Sequence, residues 1–69
     1  MIRLRVKEVA RSKGISQGKL SRLADVNLTT IQNIYKNPVE ANITLYTLDK
    51  IAKALEADPC DLLEYFPEK

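Results

Sequence analysis

The chain contains no histidine and no tryptophan, and its one cysteine is Cys60. Without histidine, neither a classical zinc finger nor a histidine-based catalytic triad can be built. One thiol forms no internal disulfide and holds no metal alone. Two glycines leave no glycine-rich loop of the kind that cradles phosphates, and together with only three prolines they argue against a disordered chain. No nucleophile–base pair is visible either, so no enzymatic activity, cofactor, metal or small-molecule substrate is expected. Apolar runs fall far short of the ~20 residues that cross a bilayer. The opening Met1-Ile-Arg-Leu-Arg5 alternates with charge and does not build the apolar stretch of a secretion signal. A cytoplasmic chain without a membrane partner is the expectation. Tyr35, Tyr46 and Tyr65 are not interleaved with cations, which argues against a stacking platform for single-stranded nucleic acid.

What is present is one small domain's worth of chain, 69 residues with 45% apolar and 29% charged side chains. A core of that size supports a stability of about 5 kcal/mol or less. The net charge is only +2, but it is unevenly spread. Residues 1–36 hold eight basic against two acidic side chains (+6), and residues 37–69 hold three against seven (−4). A basic half and an acidic half suit a protein that turns one face to a polyanion, although a charge run alone is as often a merely solvated surface.

The apolar periodicity predicts five helical segments and no repeats or linkers. The first runs from about Val6 to Lys13, with Val6, Val9 and Ala10 inward and Gly14 as its stop. Ile2, Leu4 and Val6 alternate with Arg3 and Arg5, so a short strand is the other reading of this start, pairing with Leu63 to Phe66. Ser16 caps a second helix, Gln17 to Ala24, with Leu20, Leu23 and Ala24 facing inward. Asp25-Val26 makes a turn, and Asn27 caps a third helix, Leu28 to Lys36, with Ile31 and Ile34 toward the core. Val26 is placed to staple onto Ile31. Asn37-Pro38 ends this helix. Thr44 caps a fourth, about Leu45 to Glu56, on a stripe of Leu45, Leu48, Ile51, Ala52 and Leu55. Asp58-Pro59, with Asp61 behind it, starts a fifth helix rather than forming an acid–base pair. Leu62, Leu63 and Phe66 are expected to cover the end of the core, with Cys60 packed as a small apolar residue.

The second and third helices are too short to stand alone; they form because their apolar faces meet across the turn. That crossing turns Leu28, Thr29, Gln32, Asn33 and Lys36 outward. Glutamine and asparagine amides can make two hydrogen bonds to the major-groove edge of adenine, and leucine or a threonine methyl can touch the thymine methyl. Thr29 and Thr30 can donate to phosphate, and Gln17 sits at the positive end of the second helix, where an anion is favoured. Polar residues on a helix face are more often simply solvated; here their setting argues for a role.

That setting resembles a known family. Ser16-Gln17, Leu20, Ala24, Val26-Asn27, Thr30-Ile31 and Ile34 resemble the phage-repressor/Cro-type helix-turn-helix family. The run Thr44 to Leu55 resembles that family's fourth helix, and Asp61 to Tyr65 the end of its small single-domain members. The resemblance covers nearly the whole chain and implies an all-α, five-helix, lambda-repressor-like bundle over residues 1–69, with the helix-turn-helix at about 16–36. It implies a small bacterial or phage transcriptional regulator that binds double-stranded DNA, usually as a dimer on a two-fold operator. Carried over by position, Leu28, Thr29, Gln32 and Asn33 read bases, and Gln17, Asn27, Thr30 and Lys36 contact phosphate. Three positions depart from the family pattern. Asp25 stands where the turn usually has glycine, Tyr35 where many relatives have glutamate, and the loop Asn37 to Asn42 carries Glu40 in place of the usual cations. The competing reading is an antitoxin-like module in which Leu63, Tyr65 and Phe66 anchor a protein partner or a homodimer, with DNA binding serving autoregulation.

Overall fold

The structure is a computed structural model and describes residues 1–67. The chain runs β1 (Ile2–Leu4), α1 (Val6–Ser12), α2 (Gln17–Ala24), α3 (Leu28–Lys36), α4 (Leu45–Leu55), a single 3-10 turn (Pro59–Leu62) and β2 (Leu63–Tyr65).

Two features of the expected fold need correction. The fifth helix is only the four-residue 3-10 turn, and the bundle is not purely helical, because β1 and β2 form an antiparallel pair with Arg3 opposite Glu64. The strand reading of the first residues is the right one, and Val6 then opens α1. The reason is local. After Pro59, Leu63 already has extended backbone (φ −122°, ψ 143°), and Arg5 N–H, which precedes the helix, donates to the Leu62 carbonyl at 2.8 Å. The chain there satisfies its backbone across the molecule instead of along a helix. Phe66 N–H donates to the Met1 carbonyl and Leu4 N–H to the Pro38 carbonyl, both at 2.7 Å. The sheet is thereby laced to the loop that follows α3.

Three of the helix starts are capped by the residues expected. Ser16 Oγ accepts from Lys19 N–H, Asn27 Oδ1 from Thr29 N–H, and Thr44 Oγ1 from Thr47 N–H. Three helix ends share one device. Gly14, Asp25 and Glu56 all have left-handed backbone (φ 68°, 54° and 52°). In each case the next residue's N–H reaches five residues back: Ile15 to Ala10, Val26 to Ser21, Ala57 to Ala52. These are Schellman ends, and Ile15, Val26 and Ala57 supply the apolar contact that accompanies them by packing against the core. Only one of the three uses glycine, the residue for which this conformation costs nothing.

The core is formed by Leu4, Val6, Ala10, Leu20, Ala24, Ile31, Ile34, Leu48, Ile51, Ala52, Leu55 and Leu62, and no charged or polar side chain of the described residues is buried with it. Four apolar residues expected inside lie outside. Leu23 is 54% exposed because Leu20 and Ala24 already occupy the inward stripe of α2. Leu45 is 83% exposed because the first turn of α4 overhangs the core, which α4 meets only from Leu48 onward. Cys60 is exposed on the 3-10 turn, where hydrogen bonding to Asp58 holds its thiol above the usual range. Phe66 lies beyond β2, also exposed.

Candidate nucleic-acid interface

α3 is held from behind by Ile31 and Ile34, which are essentially fully buried. Its entry is fixed by the turn before it. Asp25 supplies the left-handed residue, Val26 N–H donates to the Ser21 carbonyl, and Ser21 Oγ donates to the Val26 carbonyl. The Asn27 cap then satisfies Thr29 N–H at 2.8 Å. Aspartate is among the few non-glycine residues that adopt this backbone readily, so the turn forms without glycine. α2 and α3 are thus locked together by backbone bonds at the turn and by Leu20, Ala24, Ile31 and Ile34 in the core.

With that face pinned, Leu28, Thr29, Gln32, Asn33 and Lys36 are all exposed on the opposite side. Thr30 and Gln17 are half-buried, and Asn27 is exposed. The two amides expected to read bases are not equivalent. Gln32 is exposed and has no intramolecular partner among the described residues, so both its carbonyl and its NH2 are free to pair. Asn33 Oδ1 accepts from Asn37 Nδ2 at 2.9 Å. It therefore offers donors readily, and can pair through both atoms only if Asn37 lets go.

Gln17 opens α2, and Ser16 Oγ takes the Lys19 N–H, leaving the first-turn N–H groups of Gln17 and Gly18 outside the helix ladder. A Cβ added to Gly18 would stand 3.7 Å from Arg22 Nη1, so the Arg22 guanidinium folds back over that turn. A positive helix end and a guanidinium converge there, which is the chemistry of a phosphate contact. Arg22 was not among the residues singled out from the sequence. The signal was its position one and a half turns after Gln17 on the same helix.

The charge map follows the same division. Of the eight cations in residues 1–36, Arg3 alone is in an ion pair among the described residues, to Glu8 at 2.8 Å and Glu64 at 3.3 Å. That contact raises the Arg3 pKa and holds the Glu8 carboxyl below its usual range. In the acidic half Lys53 pairs with Asp49, and Lys50 lies over the Tyr46 ring. Tyr35, the second departure, is half-buried with its hydroxyl unpartnered among the described residues. Burial pushes its pKa up, opposed by the nearby Arg11.

The loop after α3 offers no cation, as its sequence indicated. No helix of the described residues is long and apolar enough to cross a membrane. A family model for the Cro/C1-type helix-turn-helix DNA-binding domain matches residues 5–68. A search of curated proteins found no match.

Proposed function

Since the chain belongs to the Cro/C1-type helix-turn-helix DNA-binding family, we propose that it is a small transcriptional regulator that reads a specific double-stranded DNA sequence with α3 in the major groove. Membership itself supports DNA binding by a small regulator. The observation that carries the finer reading is the outward row of α3, uncovered along its length and braced by buried Ile31 and Ile34. Leu28, Thr29, Gln32 and Asn33 contact bases. Gln17, Asn27, Thr30 and Lys36 contact phosphates, joined by Arg22. Gln32 carries the largest share of base discrimination, because its whole amide is available to an adenine edge.

The test begins with selection of bound sites from random duplexes, followed by titration of the preferred and a scrambled site at fixed salt. Gln32→Ala should weaken binding to the preferred site by about 1–3 kcal/mol and leave the scrambled site nearly unaffected. An unchanged ratio removes Gln32 from base reading. A second reading is an antitoxin-like module that binds a partner protein and regulates its own synthesis through DNA. It draws support from the exposure of Tyr65 and Phe66 at the end of β2. A small protein that co-purifies stoichiometrically and is lost on Tyr65→Ala would favour it.

A further inference from the structure

Where α3 ends, the chain passes from one surface to another. Lys36 closes the exposed row, Asn37 caps the helix, and Pro38 lines a groove of about 230 Å³ between the sheet, the loop after α3 and the start of α4. That groove has no charged residue in its lining. Asn37 stands between the two surfaces, and its backbone is held on both sides. Its N–H donates to the Asn33 carbonyl and its carbonyl accepts from Ala41 N–H, each at 2.8 Å. Pro38 disfavours the helical conformation for the residue before it, and the Pro38 carbonyl is itself tied to Leu4 N–H of β1. From this fixed base the Asn37 side chain reaches back one turn, since residues four apart on a helix are neighbours. Asn37 Nδ2 donates to Asn33 Oδ1 at 2.9 Å.

We propose that Asn37 is a specificity-determining residue, which holds the Asn33 amide as a hydrogen-bond donor and so directs it to guanine in place of adenine. The inference rests on the reading of α3 as the helix in the major groove, and names one base within it. Adenine presents an acceptor, N7, beside a donor, N6, so an asparagine must offer it oxygen and NH2 together. With Oδ1 given to Asn37, laying both atoms on an adenine edge breaks that bond. In a groove from which water has been displaced, the Asn37 NH2 is then left without a partner, which is the costly way to lose a hydrogen bond. Guanine presents two acceptors side by side, O6 and N7. The NH2 of Asn33 carries two hydrogens and can donate to that edge while the bond to Asn37 stays intact. Thymine offers one acceptor beside a methyl group, and cytosine a donor.

The direction of the bond follows from its place. Two asparagines can join either way round, with Asn37 donating or Asn33 donating. The last carbonyls of a helix have no partner within it and carry the negative end of its dipole. A donor is favoured beside them and a carbonyl oxygen is repelled. Asn37 is the residue at that end, so its NH2 turns to the helix and the Asn33 oxygen receives it. Gln32, one residue earlier, is exposed with no intramolecular partner among the described residues, and its amide is free to meet adenine through both atoms. Two adjacent amides of the same chemistry thus select different bases, because only one of them has a companion.

The test is selection of bound sites from random duplexes with the full chain, the Asn33→Ala variant locating the base pair that Asn33 reads. The wild type should select guanine there. Asn37→Ala should shift the guanine-to-adenine ratio at that pair toward adenine by at least about fivefold, the low end of what a bidentate contact discriminates, and leave every other position as it was. Asn37→Asp has no donor to give, so it should turn the Asn33 amide round and lose guanine as well. In an Asn33→Ala background, Asn37→Ala should change nothing further at that pair. Such coupling shows that Asn37 acts through Asn33, and a change confined to one base pair cannot come from a weakened helix cap. A wild type that selects adenine at the Asn33 pair, or an Asn37→Ala chain that keeps the guanine preference, overturns the proposal and leaves α3 in the groove. An Asn33→Ala chain that selects the wild-type site unchanged removes Asn33 from base reading and overturns it too. A wild type that selects no site at all overturns the DNA reading, and the proposal with it.

Discussion

The outer face of α3 and the groove beside β1 are both uncovered, but for opposite physical reasons. α3 exposes amides, hydroxyls and a lysine on a helix whose back is clamped by Ile31 and Ile34. The groove exposes leucine, isoleucine and valine with no charge in its lining. Uncovered hydrogen-bonding groups are satisfied by water and need no partner to be stable. They become informative when a rigid scaffold holds them in fixed register. Uncovered apolar side chains are not satisfied by water in this way. One small domain thus carries two uncovered surfaces of different character, a polar one along α3 and an apolar one beside β1.

The largest expected effect removes the brace that the first surface depends on. Ile31→Ala deletes a fully buried side chain behind α3 and should cost about 2–5 kcal/mol, close to the entire stability of a domain of this size. Urea titration should find it largely unfolded. Near-native stability would mean that α3 is not held by this contact.

The contrast between unpaired and paired cations can be broken next. Each neutralised phosphate contributes about −0.9 to the slope of log affinity against log salt. Arg22→Ala should therefore make that slope shallower by about 1, whereas Lys53→Ala, which removes a cation already paired to Asp49, should leave it unchanged. Equal effects from the two would erase the division between the halves.

The turn of the helix-turn-helix can be compared with the end of α4, since Asp25 and Glu56 share one backbone conformation. Glutamate is the poorer fit. Glu56→Gly should raise stability by about 0.5–1 kcal/mol, measured by thermal or urea melting, and Asp25→Gly by less. Tyr35→Phe removes a hydroxyl with no intramolecular partner and should leave stability equal or raise it by up to about 1 kcal/mol; a clear loss would mean that the hydroxyl is satisfied in solution.

Smallest of all is the pH effect of the Arg3–Glu8 pair. Glu8 has a lowered pKa in the folded chain, so its stabilising contribution is present above the ordinary glutamate range and is lost as the pH falls through the folded value. Both side chains are about a third exposed, so the loss is slight. Tm should fall a little less on acidification in Glu8→Gln than in wild type.

How far the sequence could be read follows the same line. α2 and α3 were legible nearly to the residue, because Ser16 and Asn27 are local capping signals and Asp25 a local turn signal. Gln32 and Lys36 followed from helical spacing alone. Leu23 and Leu45 were misplaced because periodicity records which residues are apolar, not whether another element packs opposite them. The segment before β2 was expected to open a full fifth helix because Asp58-Pro59 does cap a turn. What ends that turn is pairing between Arg3 and Glu64, 61 residues apart, visible beforehand only as the alternation of Ile2 and Leu4 with arginines. Arg22 and the Asn33–Asn37 bond depend on where side chains fold back, which residue type alone does not carry.

Base reading by α3 is tested most directly by changing one of its letters. Site selection from random duplexes would be run in parallel with the wild-type chain and with Gln32→Arg. An arginine pairs with guanine where a glutamine pairs with adenine, so one position of the selected site should switch from adenine to guanine while the others are kept. Recovery of the same site with the same preference at every position would contradict an α3 seated in the major groove.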